Sequence, residues 1–383
     1  MDPIGLIPSF GGFAWTLAAF IVALSIIVAV HEYGHYIVGR WCGIHAEVFS
    51  LGFGPRVATW RDRRGTVWQI AALPLGGFVK FLGDSDAASG ADTDALSGMD
   101  AKTRRQTMHG APLWARAATV AAGPFFNFAM SILIFAGIIL IQGEARAPLT
   151  VESLKSMPAE AQELLPGDRI VEIHSRAVPD FDQFAAFVED LPRAPQLEYT
   201  VLRDGQETTV YGPYPYPPIV DGVTPQSAAL DAGIESGDVI TAVGGVPISS
   251  FEDLRSAVLV SEGAPIDLSI WRDGEQIEVT LSPRQMDVPT EDGFEQRYLI
   301  GISGGLFFEP VTTSPGPLTA LWRAADQTVF IIEQSLSGLY HMITGAISSC
   351  NLQGPIGIAE TSGAAASQGI VNFIWFIAVL STA

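Results

Sequence analysis

Two histidines and a glutamate stand together in the segment AVHEYGHYIVGR, residues 29–40. On an α-helix, His31 and His35 lie one turn apart and project from one face, so both imidazoles can bind one metal ion. Glu32 lies about 100° around the helix and can reach a water bound to that metal. Zinc lowers the pKa of such a water towards about 7, and a carboxylate can take its proton and pass it to a leaving amine. The spacing therefore predicts zinc-dependent peptide hydrolysis, with His31 and His35 as metal ligands and Glu32 as the catalytic base.

The same side chains could instead form a structural polar cluster between packed helices. The chain has only six histidines, and two of them take this spacing around a glutamate. Ionisable groups within a membrane span are costly and usually serve a function, which favours the zinc site. The remaining histidines lack such neighbours and are interpreted as surface or packing residues: His45, His109, His174 and His341.

Long uncharged segments place this motif in a membrane. Residues 3–30 and 117–143 contain no charged residue, which gives runs of 28 and 27. A spanning helix needs about 20 residues, so both runs are predicted to cross. The apolar run 369–383 is shorter, so we expect the sequence to end inside a third transmembrane helix, with a short buried helix as the alternative. Asp2 stands where a signal peptide would have a basic start, which argues against a cleaved leader.

The net charge of −20 is unevenly distributed, and the distribution indicates an orientation. Residues 40–116 carry ten Lys/Arg and seven Asp/Glu, a net of +3, whereas residues 142–320 carry ten and twenty-nine, a net of −19. Basic loops stay in the cytoplasm, so we predict a cytoplasmic first loop, with the histidine motif near that side, and a translocated acidic region. The acidity argues against nucleic acid as a partner. The chain has two cysteines, Cys42 and Cys350, and their positions do not suggest a disulfide framework.

The loop after the first helix is typical of a β-hairpin. Residues 49–84 contain two β-rich runs around the turn RDRRG, with a second break expected at Pro74 and at Gly76-Gly77. The hairpin could contact the membrane or be an ordinary surface hairpin. A substrate helix must unwind before it is cut, and strand pairing with this hairpin would satisfy its released N–H and C=O groups. Gly76 and Gly77 are therefore candidate substrate-binding residues.

The second uncharged run contains AAGPFFNF, residues 121–128. Gly123 and Pro124 should loosen this helix, and Asn127 could form a hydrogen bond near the metal or the substrate. Asparagine is a poor zinc ligand, and a catalytic zinc site usually has three protein ligands and a water. The third ligand is not visible in the sequence.

The acidic region contains an internal repeat. Gly167-Asp168 in LLPGDRIVEI matches Gly237-Asp238 in IESGDVITAV, and an Arg-Asp-Gly turn follows in each copy. Residues 225–240, PQSAALDAGIESGDVI, resemble a segment of PDZ domains, whereas the first copy, MPAEAQELLPGDRI, lacks the Ala-Gly turn. PDZ domains add an extended peptide to a sheet edge and hold its terminal carboxylate. We expect the second copy to bind peptide termini, with inert spacers or steric filters as the alternative.

Taken together, these motifs resemble the bacterial site-2 protease family of intramembrane zinc metalloproteases. The resemblance rests on HEYGH in the first membrane helix, GFGP and LPLGGFVKFLGD in the loop, AAGPFFNF in the second helix, the PDZ-like repeat, and NLQGPIGIAE before the last helix. It implies zinc ligation by His31 and His35, catalysis by Glu32, and a reentrant hairpin near residues 52–82 that helps to hold substrate. It also implies a bacterial inner-membrane location with the PDZ tandem in the periplasm.

The resemblance further implies the substrates and the missing ligand. Members of the family cleave a membrane-spanning anti-sigma factor already trimmed by another protease, and they clear remnant signal peptides. Their third zinc ligand is an aspartate in an N-x-x-P-x-x-x-L-D-G segment, which does not occur in the 383 residues. We therefore expect this aspartate beyond residue 383 and expect the chain to be inactive by itself.

The predicted fold is a polytopic α-helical membrane protein with an inserted tandem of PDZ-like α+β domains and a membrane-associated β-hairpin. The transmembrane parts are a first helix at 1–40, a second at 113–142 and the start of a third at 369–383. The cytoplasmic loop with the hairpin is 41–112. The remaining parts are PDZ-like domains at 143–218 and 219–310, and an amphipathic helix with a connector at 311–368.

Three other functions are alternatives to the protease. A membrane-anchored PDZ binding protein with a degenerate metal site is the main alternative, and an aspartate-bearing motif after residue 383 would decide against it. The stretch GISGG matches G-x-S-x-G with Ser303 as nucleophile, but the sequence after it does not predict the helix that a nucleophile elbow needs. A transporter is disfavoured because two large repeats between helices offer no inverted membrane symmetry.

Overall fold

The structure is a computed structural model that describes residues 10–85, 90–145, 147–158, 162–290, 293–345, 347 and 354–383. It divides into two compact units. The first unit contains Met1–Leu140, Gly316–Leu339 and Ser349–Ala383, and the second contains Ile141–Pro315 and Tyr340–Ser348. Cys350 and the first part of the NLQGPIGIAE motif fall outside the described residues.

The helices of the described chain are α1 (Phe10–Trp41), α2 (Thr93–Ser97), α3 (Ala101–Arg105), α4 (Leu113–Gln142), α5 (Phe181–Glu189), α6 (Ala228–Asp231), α7 (Phe251–Val260), α8 (Pro317–Ile343), α9 (Pro355–Ser367) and α10 (Ile370–Thr382).

The strands before the second repeat are β1 (Ala46–Arg61), β2 (Val67–Phe81), β3 (Glu144–Ala145), β4 (Val151–Leu154), β5 (Arg169–Ile173), β6 (Arg176–Ala177), β7 (Leu197–Arg203) and β8 (Gln206–Gly212). Those that follow are β9 (Val220–Val223), β10 (Val239–Val243), β11 (Val246–Pro247), β12 (Ile266–Arg272), β13 (Glu275–Leu281), β14 (Arg284–Thr290), β15 (Gly293–Leu299), β16 (Ile302–Gly304), β17 (Phe308–Pro310) and β18 (Thr312–Thr313).

Apolar helices form the first unit. Two are long and apolar enough to cross a membrane, Gly12–Trp41 and Leu113–Gln142, and α10 is apolar but shorter. Small residues let these helices approach closely, as is common for helices packed in membranes. Ser131 Oγ on α4 donates to the Ala378 carbonyl on α10 at 2.8 Å. A Cβ on Gly363 of α9 would lie 2.5 Å from Thr16 Oγ1 of α1.

The connector predicted between the amphipathic helix and residue 369 contains a helix of its own, α9. Gly354 precedes it and Pro355 occupies its first turn. The N–H that proline lacks would have no partner within the helix at this position, so proline costs no hydrogen bond there. The sequence pattern concealed α9 because its residues are mostly small, and small residues are also common in loops. These same residues allow α9 to lie against α1.

The predicted hairpin is a long ribbon of β1 and β2 that folds back on itself. Residues 48–51 pair with 67–70 on one side and with 77–80 on the other, while 56–61 pair with the outer side of 67–71. β2 continues to Phe81, so the predicted break at Pro74 and Gly76-Gly77 lies within the strand and does not end it. Those residues instead form the bend that brings the last part of β2 beside the first part of β1.

A polar network fixes this ribbon to the C-terminal end of α1. Arg40 donates to Tyr36 Oη at 2.7 Å, and Tyr36 donates to Asp62 Oδ2 at 2.9 Å. Asp62 also accepts from the main chain of Arg64 and Thr66 in its own turn. The helix that bears the histidines and the turn of the ribbon are thus held in register.

The second unit contains two four-stranded sheets with the same strand order. One is β6-β5-β7-β8, and the other is β11-β10-β12-β13. A helix follows the second strand of each sheet, α5 in the first and α7 in the second. Phe308, in the strand β17, pairs with β4 and packs in the core of the first sheet. A strand of the predicted second domain, residues 219–310, therefore contributes to the core around the first sheet, and the division predicted at residue 218 stays a prediction.

An ion pair recurs at the same place in each sheet. Asp168 is 1% exposed and accepts from Arg203 Nε and Nη2, both at 2.7 Å. Asp238 is 1% exposed and accepts from Arg272 at 2.6 and 2.7 Å. Each aspartate also accepts a main-chain N–H three residues before it. The Gly-Asp and Arg-Asp-Gly signals of the repeat thus mark the same buried Asp–Arg ion pair in both sheets.

Candidate metal centre

The two imidazoles of the motif lie side by side on α1 and face one point on α4. Their ring centroids are 4.8 Å apart and the ring planes cross at 83°. A Cβ placed on Gly123 would lie 2.5 Å from His35 Nε2 and 2.7 Å from His31 Nε2. Both Nε2 atoms therefore converge on a space that exists because residue 123 has no side chain.

The main chain of α4 sets the tautomer of His35. His35 Nδ1 lies 2.8 Å from the carbonyl oxygen of Thr119. A carbonyl oxygen can only accept, so Nδ1 carries the hydrogen and Nε2 keeps its lone pair. This is the tautomer that a metal requires when it binds through Nε2.

Asn127 lies two turns after Thr119 on α4 and contacts His31 of α1. Its Nδ2 is 3.4 Å from His31 Nδ1, and the residue is 9% exposed. Thr119, Gly123 and Asn127 follow at intervals of four residues along one face of α4. This face presents one polar partner to each histidine and an open space between the partners.

Glu32 faces the ribbon instead of α4. A Cβ on Gly77 would lie 3.0 Å from Glu32 Cγ, 2.9 Å from Val28 Cγ1 and 2.8 Å from the Ser50 oxygen. The main chain of Val79 is within hydrogen-bonding reach of the Glu32 carboxylate. The missing side chain at residue 77 therefore lets β2 approach α1 directly beside the carboxylate.

Gly76 has a different environment from Gly77. Its φ of +153° is a backbone conformation that favours glycine, and a Cβ there would collide with the ring of Phe53 on β1. Of the two glycines predicted to bind substrate, the structure brings Gly77 to the motif and places Gly76 in the bend of the ribbon.

The donor set suits zinc but supplies only part of its coordination. Two neutral imidazole nitrogens are ligands that zinc binds at about 2.0–2.1 Å, and the space over Gly123 accommodates an ion between them. Within the described ranges, no group of three or more His, Cys, Asp or Glu side chains lies close enough to hold a metal. His31 and His35 thus fit as two zinc ligands. Any further ligand must be a group that does not cluster with them among the described residues.

The serine motif does not form a hydrolase site. Ser303 lies in β16, and its Oγ is 3.5 Å from the carbonyl oxygen of Gly222 on the paired strand β9. A nucleophile elbow requires a strand, a sharp turn and then a helix. In this part of the chain the next element is β17, so the sequence argument against Ser303 agrees with the local structure.

The sequence did not identify two positions that shape the centre. Thr119 contributes its carbonyl, which no side-chain pattern can reveal, and Gly123 had been interpreted only as loosening the helix. The signal that could have found them is the spacing of four residues between Thr119, Gly123 and Asn127, which matches the spacing of the histidines on a facing helix.

Comparisons with known proteins identify the family of this chain. Residues 19–383 match the family model described as Peptidase family M50. A protein of Agrobacterium fabrum that is named as a zinc metalloprotease is 34% identical over 371 residues, which cover 95% of this chain and 79% of that protein. One from Rhizobium meliloti with the same kind of name is 35% identical over 370 residues, covering 96% and 80%. The regulator of sigma-E protease of Escherichia coli is 31% identical over 403 residues, covering 96% and 85%. With the match extending over nearly the whole chain, the protein belongs to peptidase family M50, the membrane-embedded site-2 proteases.

Proposed function

We propose that this protein is an intramembrane zinc metalloendopeptidase. The observation that carries the proposal is the convergence of His31 Nε2 and His35 Nε2 over Gly123. Glu32 lies beside them, on the side of α1 that meets the ribbon. The proposal includes further zinc ligation by a residue outside the described set, as the family resemblance implies.

The chemistry follows from the positions of the side chains. A zinc ion held by His31 and His35 would supply an acidified water and a polarised peptide carbonyl. Glu32 then accepts a proton from the attacking water and returns it to the leaving amine, as a general base and then a general acid. Thr119 fixes the orientation of His35 throughout, because its hydrogen bond is to the nitrogen that does not face the centre.

The ribbon can hold an unwound substrate next to Glu32. Residues 77–80 pair with β1 on one side only, and no other described strand covers their second side. A substrate segment that pairs there would satisfy the N–H and C=O groups exposed when its helix unwinds. Gly77 allows this edge to lie against α1, so the paired peptide bond would pass close to the carboxylate.

The proposed substrates are membrane-spanning proteins. An anti-sigma factor already trimmed by another protease is one candidate class, since one relative is named a regulator of sigma-E protease. Remnant signal peptides are another. The proposed location is the bacterial inner membrane, with the second unit in the periplasm.

We also propose that the second repeat is a PDZ domain that binds peptide termini. A cavity of about 440 Å³ lies between α7 and residues 298–302, and it is lined mainly by apolar side chains such as Phe251, Val258 and Ile300. Leu259 is at its rim and is 37% exposed. Leu259→Glu should abolish binding of apolar carboxyl-terminal peptides in fluorescence anisotropy while circular dichroism stays unchanged. Equal binding by both proteins would refute peptide capture at this groove.

The enzymatic proposal is tested with Glu32→Gln in the protein expressed from its complete gene. The variant should retain zinc but lose cleavage of a membrane-spanning peptide in detergent or liposomes, because the amide cannot accept the proton. Glu207→Gln is the matched control, since Glu207 is an exposed residue of β8 in the second unit. Cleavage by Glu32→Gln at the unaltered rate would contradict the assigned role.

A membrane-anchored binding protein without catalysis is the second candidate. It is favoured by the lack of a third clustered ligand among the described residues. It predicts peptide binding at the second repeat together with no zinc uptake and no cleavage by the protein expressed from its complete gene.

A further inference from the structure

We infer that Asn127 positions His31 for metal binding, with its amide oxygen accepting a hydrogen bond from His31 Nδ1. The inference rests on the proposed zinc centre and assigns Asn127 a role towards a ligand instead of towards the substrate. It also fixes the orientation of the amide, since only one of its two ends can perform this role.

The direction of the His31 ring determines which of its nitrogens must carry hydrogen. Its Nε2 faces Gly123 together with the Nε2 of His35. A nitrogen that binds a metal must be free of hydrogen, so the hydrogen of neutral His31 must be on Nδ1. This Nδ1 therefore has to donate, and a partner that can only donate would oppose the metal-binding tautomer.

Asn127 is the side chain placed to accept this hydrogen. Its amide nitrogen is 3.4 Å from His31 Nδ1, whereas its Oδ1 is buried without a hydrogen-bond partner among the described residues. Amide nitrogen and oxygen have nearly the same shape, and their assignment follows from the hydrogen-bond network. Exchanging them puts the oxygen against Nδ1, where it can accept the hydrogen, and moves the NH2 group to the former position of the oxygen.

The main chain around Asn127 is held in place independently. Ser131 Oγ donates to the Asn127 carbonyl at 3.1 Å and to the Ala378 carbonyl at 2.8 Å. Ser381 Oγ also approaches the Asn127 carbonyl, at 3.4 Å. These contacts join α4 to α10 on the side of Asn127, so the amide projects from a fixed backbone.

The arrangement repeats the one at His35. Thr119 and Asn127 lie four residues before and after Gly123, and His31 and His35 are themselves four residues apart. The Thr119 carbonyl accepts from His35 Nδ1, so an acceptor at Asn127 would give both histidines the same tautomer. Partners of this kind raise metal affinity by about 10–100-fold in other metal sites.

The test compares Asn127→Leu, Asn127→Asp and Asn372→Leu in the full protein. Zinc affinity is measured by competition with a chelator. We expect Asn127→Leu to bind zinc about 10–100-fold more weakly. Asn127→Asp should stay near the unaltered protein, because a carboxylate accepts as the amide oxygen does. Asn372→Leu should have no effect, because Asn372 is an exposed residue of α10 whose amide donates to the carbonyl oxygen of Gln368, just before that helix.

A second measurement does not depend on variants or on zinc. Nitrogen-15 spectra of the metal-free protein, above the imidazole pKa of about 6.5, should show hydrogen on His31 Nδ1. Hydrogen on Nε2, or full zinc affinity in a folded Asn127→Leu protein, would overturn the inference. If the unaltered protein takes up no zinc, the proposed function fails, and the His31 tautomer still decides the role of Asn127. If Asn127→Leu raises the KM for a membrane-spanning peptide and leaves the zinc affinity unchanged, Asn127 binds substrate, and the inference that it positions His31 is overturned.

Discussion

The absence of a side chain at residue 123 matters as much to the metal centre as the presence of the histidines. An alanine there would place its methyl group 2.5–2.7 Å from both Nε2 atoms, closer than non-bonded atoms can approach. We predict that Gly123→Ala lowers zinc affinity by more than the 10–100-fold typical of changes around the ligands. The measurement is zinc content and chelator competition on purified protein.

Gly137→Ala provides the control for this prediction. Gly137 lies on the same helix, and nothing is within 4 Å of a Cβ built there. This variant should bind zinc like the unaltered protein. Equal affinities in all three proteins would show that the histidines do not meet an ion at Gly123.

At this scale, helix geometry made part of the site predictable. Residues four apart on a helix must share a face, so the joint direction of His31 and His35 followed from the sequence. Thr119 and Gly123 depend on which face of α4 packs against α1. That choice is a tertiary contact, and local spacing does not determine it.

Among the elements, the ribbon of β1 and β2 depends on Gly77 for its approach to α1. Gly77 does not have a positive φ, so valine is compatible with its backbone, but the added atoms would press on Val28 and Glu32. We predict that Gly77→Val reduces peptide cleavage by about 100-fold, because a displacement of about 1 Å can cost that much. The measurement is the rate of membrane-peptide cleavage, with zinc content determined in parallel.

Ala72→Val serves as the comparison for Gly77→Val. Ala72 is an exposed residue of the same strand, so the added methyl groups meet solvent or lipid. Normal cleavage by both variants would count against the ribbon as a substrate-holding element. Retained zinc together with lost cleavage in Gly77→Val would separate the ribbon from the metal centre.

The ion pair of the first sheet makes a prediction about pH. Burial alone raises the pKa of Asp168, but hydrogen bonds from Arg203 and Leu165 and the charge of Arg203 outweigh burial and lower this pKa. Because the pKa of Asp168 is lower in the folded than in the unfolded protein, its carboxylate contributes its full stabilisation at any pH above the unfolded pKa of about 3.9. This contribution disappears as the pH falls through the pKa of the folded state. Asp168→Asn should lower the free energy of unfolding by about 1.5–3 kcal/mol near neutral pH. It should also make the free energy of unfolding depend less on pH in the acid range.

Hydrogen exchange by strand checks this prediction. In Asp168→Asn, exchange should accelerate in β7 and β8, while β12 and β13 provide the reference within the same molecule. Asp238→Asn should produce the reverse pattern, since Asp238 pairs with Arg272 in the second sheet. Uniform acceleration in both sheets would mean that the pairs do not stabilise their sheets separately.

The sequence anticipated these elements unevenly. Turn residues such as Asp204 and Asp273, with φ of 51° and 48°, mark the hairpins of the two sheets, and their Arg-Asp-Gly signals were visible beforehand. The folding of the β1–β2 ribbon was not predicted, because residues 48–51 pair on both sides and either pairing alone satisfies the sequence pattern. The helix α9 was missed because its buried face consists of small residues, which carry little hydrophobic signal.

For the whole molecule, the distribution of charge complements the division into two units. The basic loop 40–116, with its net of +3, belongs to the first unit, and most of the acidic region 142–320, with its net of −19, belongs to the second. Hydropathy could locate the two long helices, because a span of about 20 apolar residues is a local property. The assignment of segments such as Tyr340–Ser348 to the second unit depends on contacts between distant residues, and the sequence pattern did not reveal it.

The orientation is the prediction that belongs to the whole molecule. Lys and Arg near membrane helices are retained in the cytoplasm, so the turn at Arg63 should be cytoplasmic and the exposed Glu207 of β8 should be periplasmic. With Cys42 and Cys350 replaced by serine, single cysteines at Arg63→Cys and Glu207→Cys are treated with a membrane-impermeant maleimide. In spheroplasts only Glu207→Cys should react, and Arg63→Cys should react after lysis. The opposite result would place the acidic unit in the cytoplasm. It would contradict the proposed periplasmic location of the second repeat and the cytoplasmic location of the turn at Arg63.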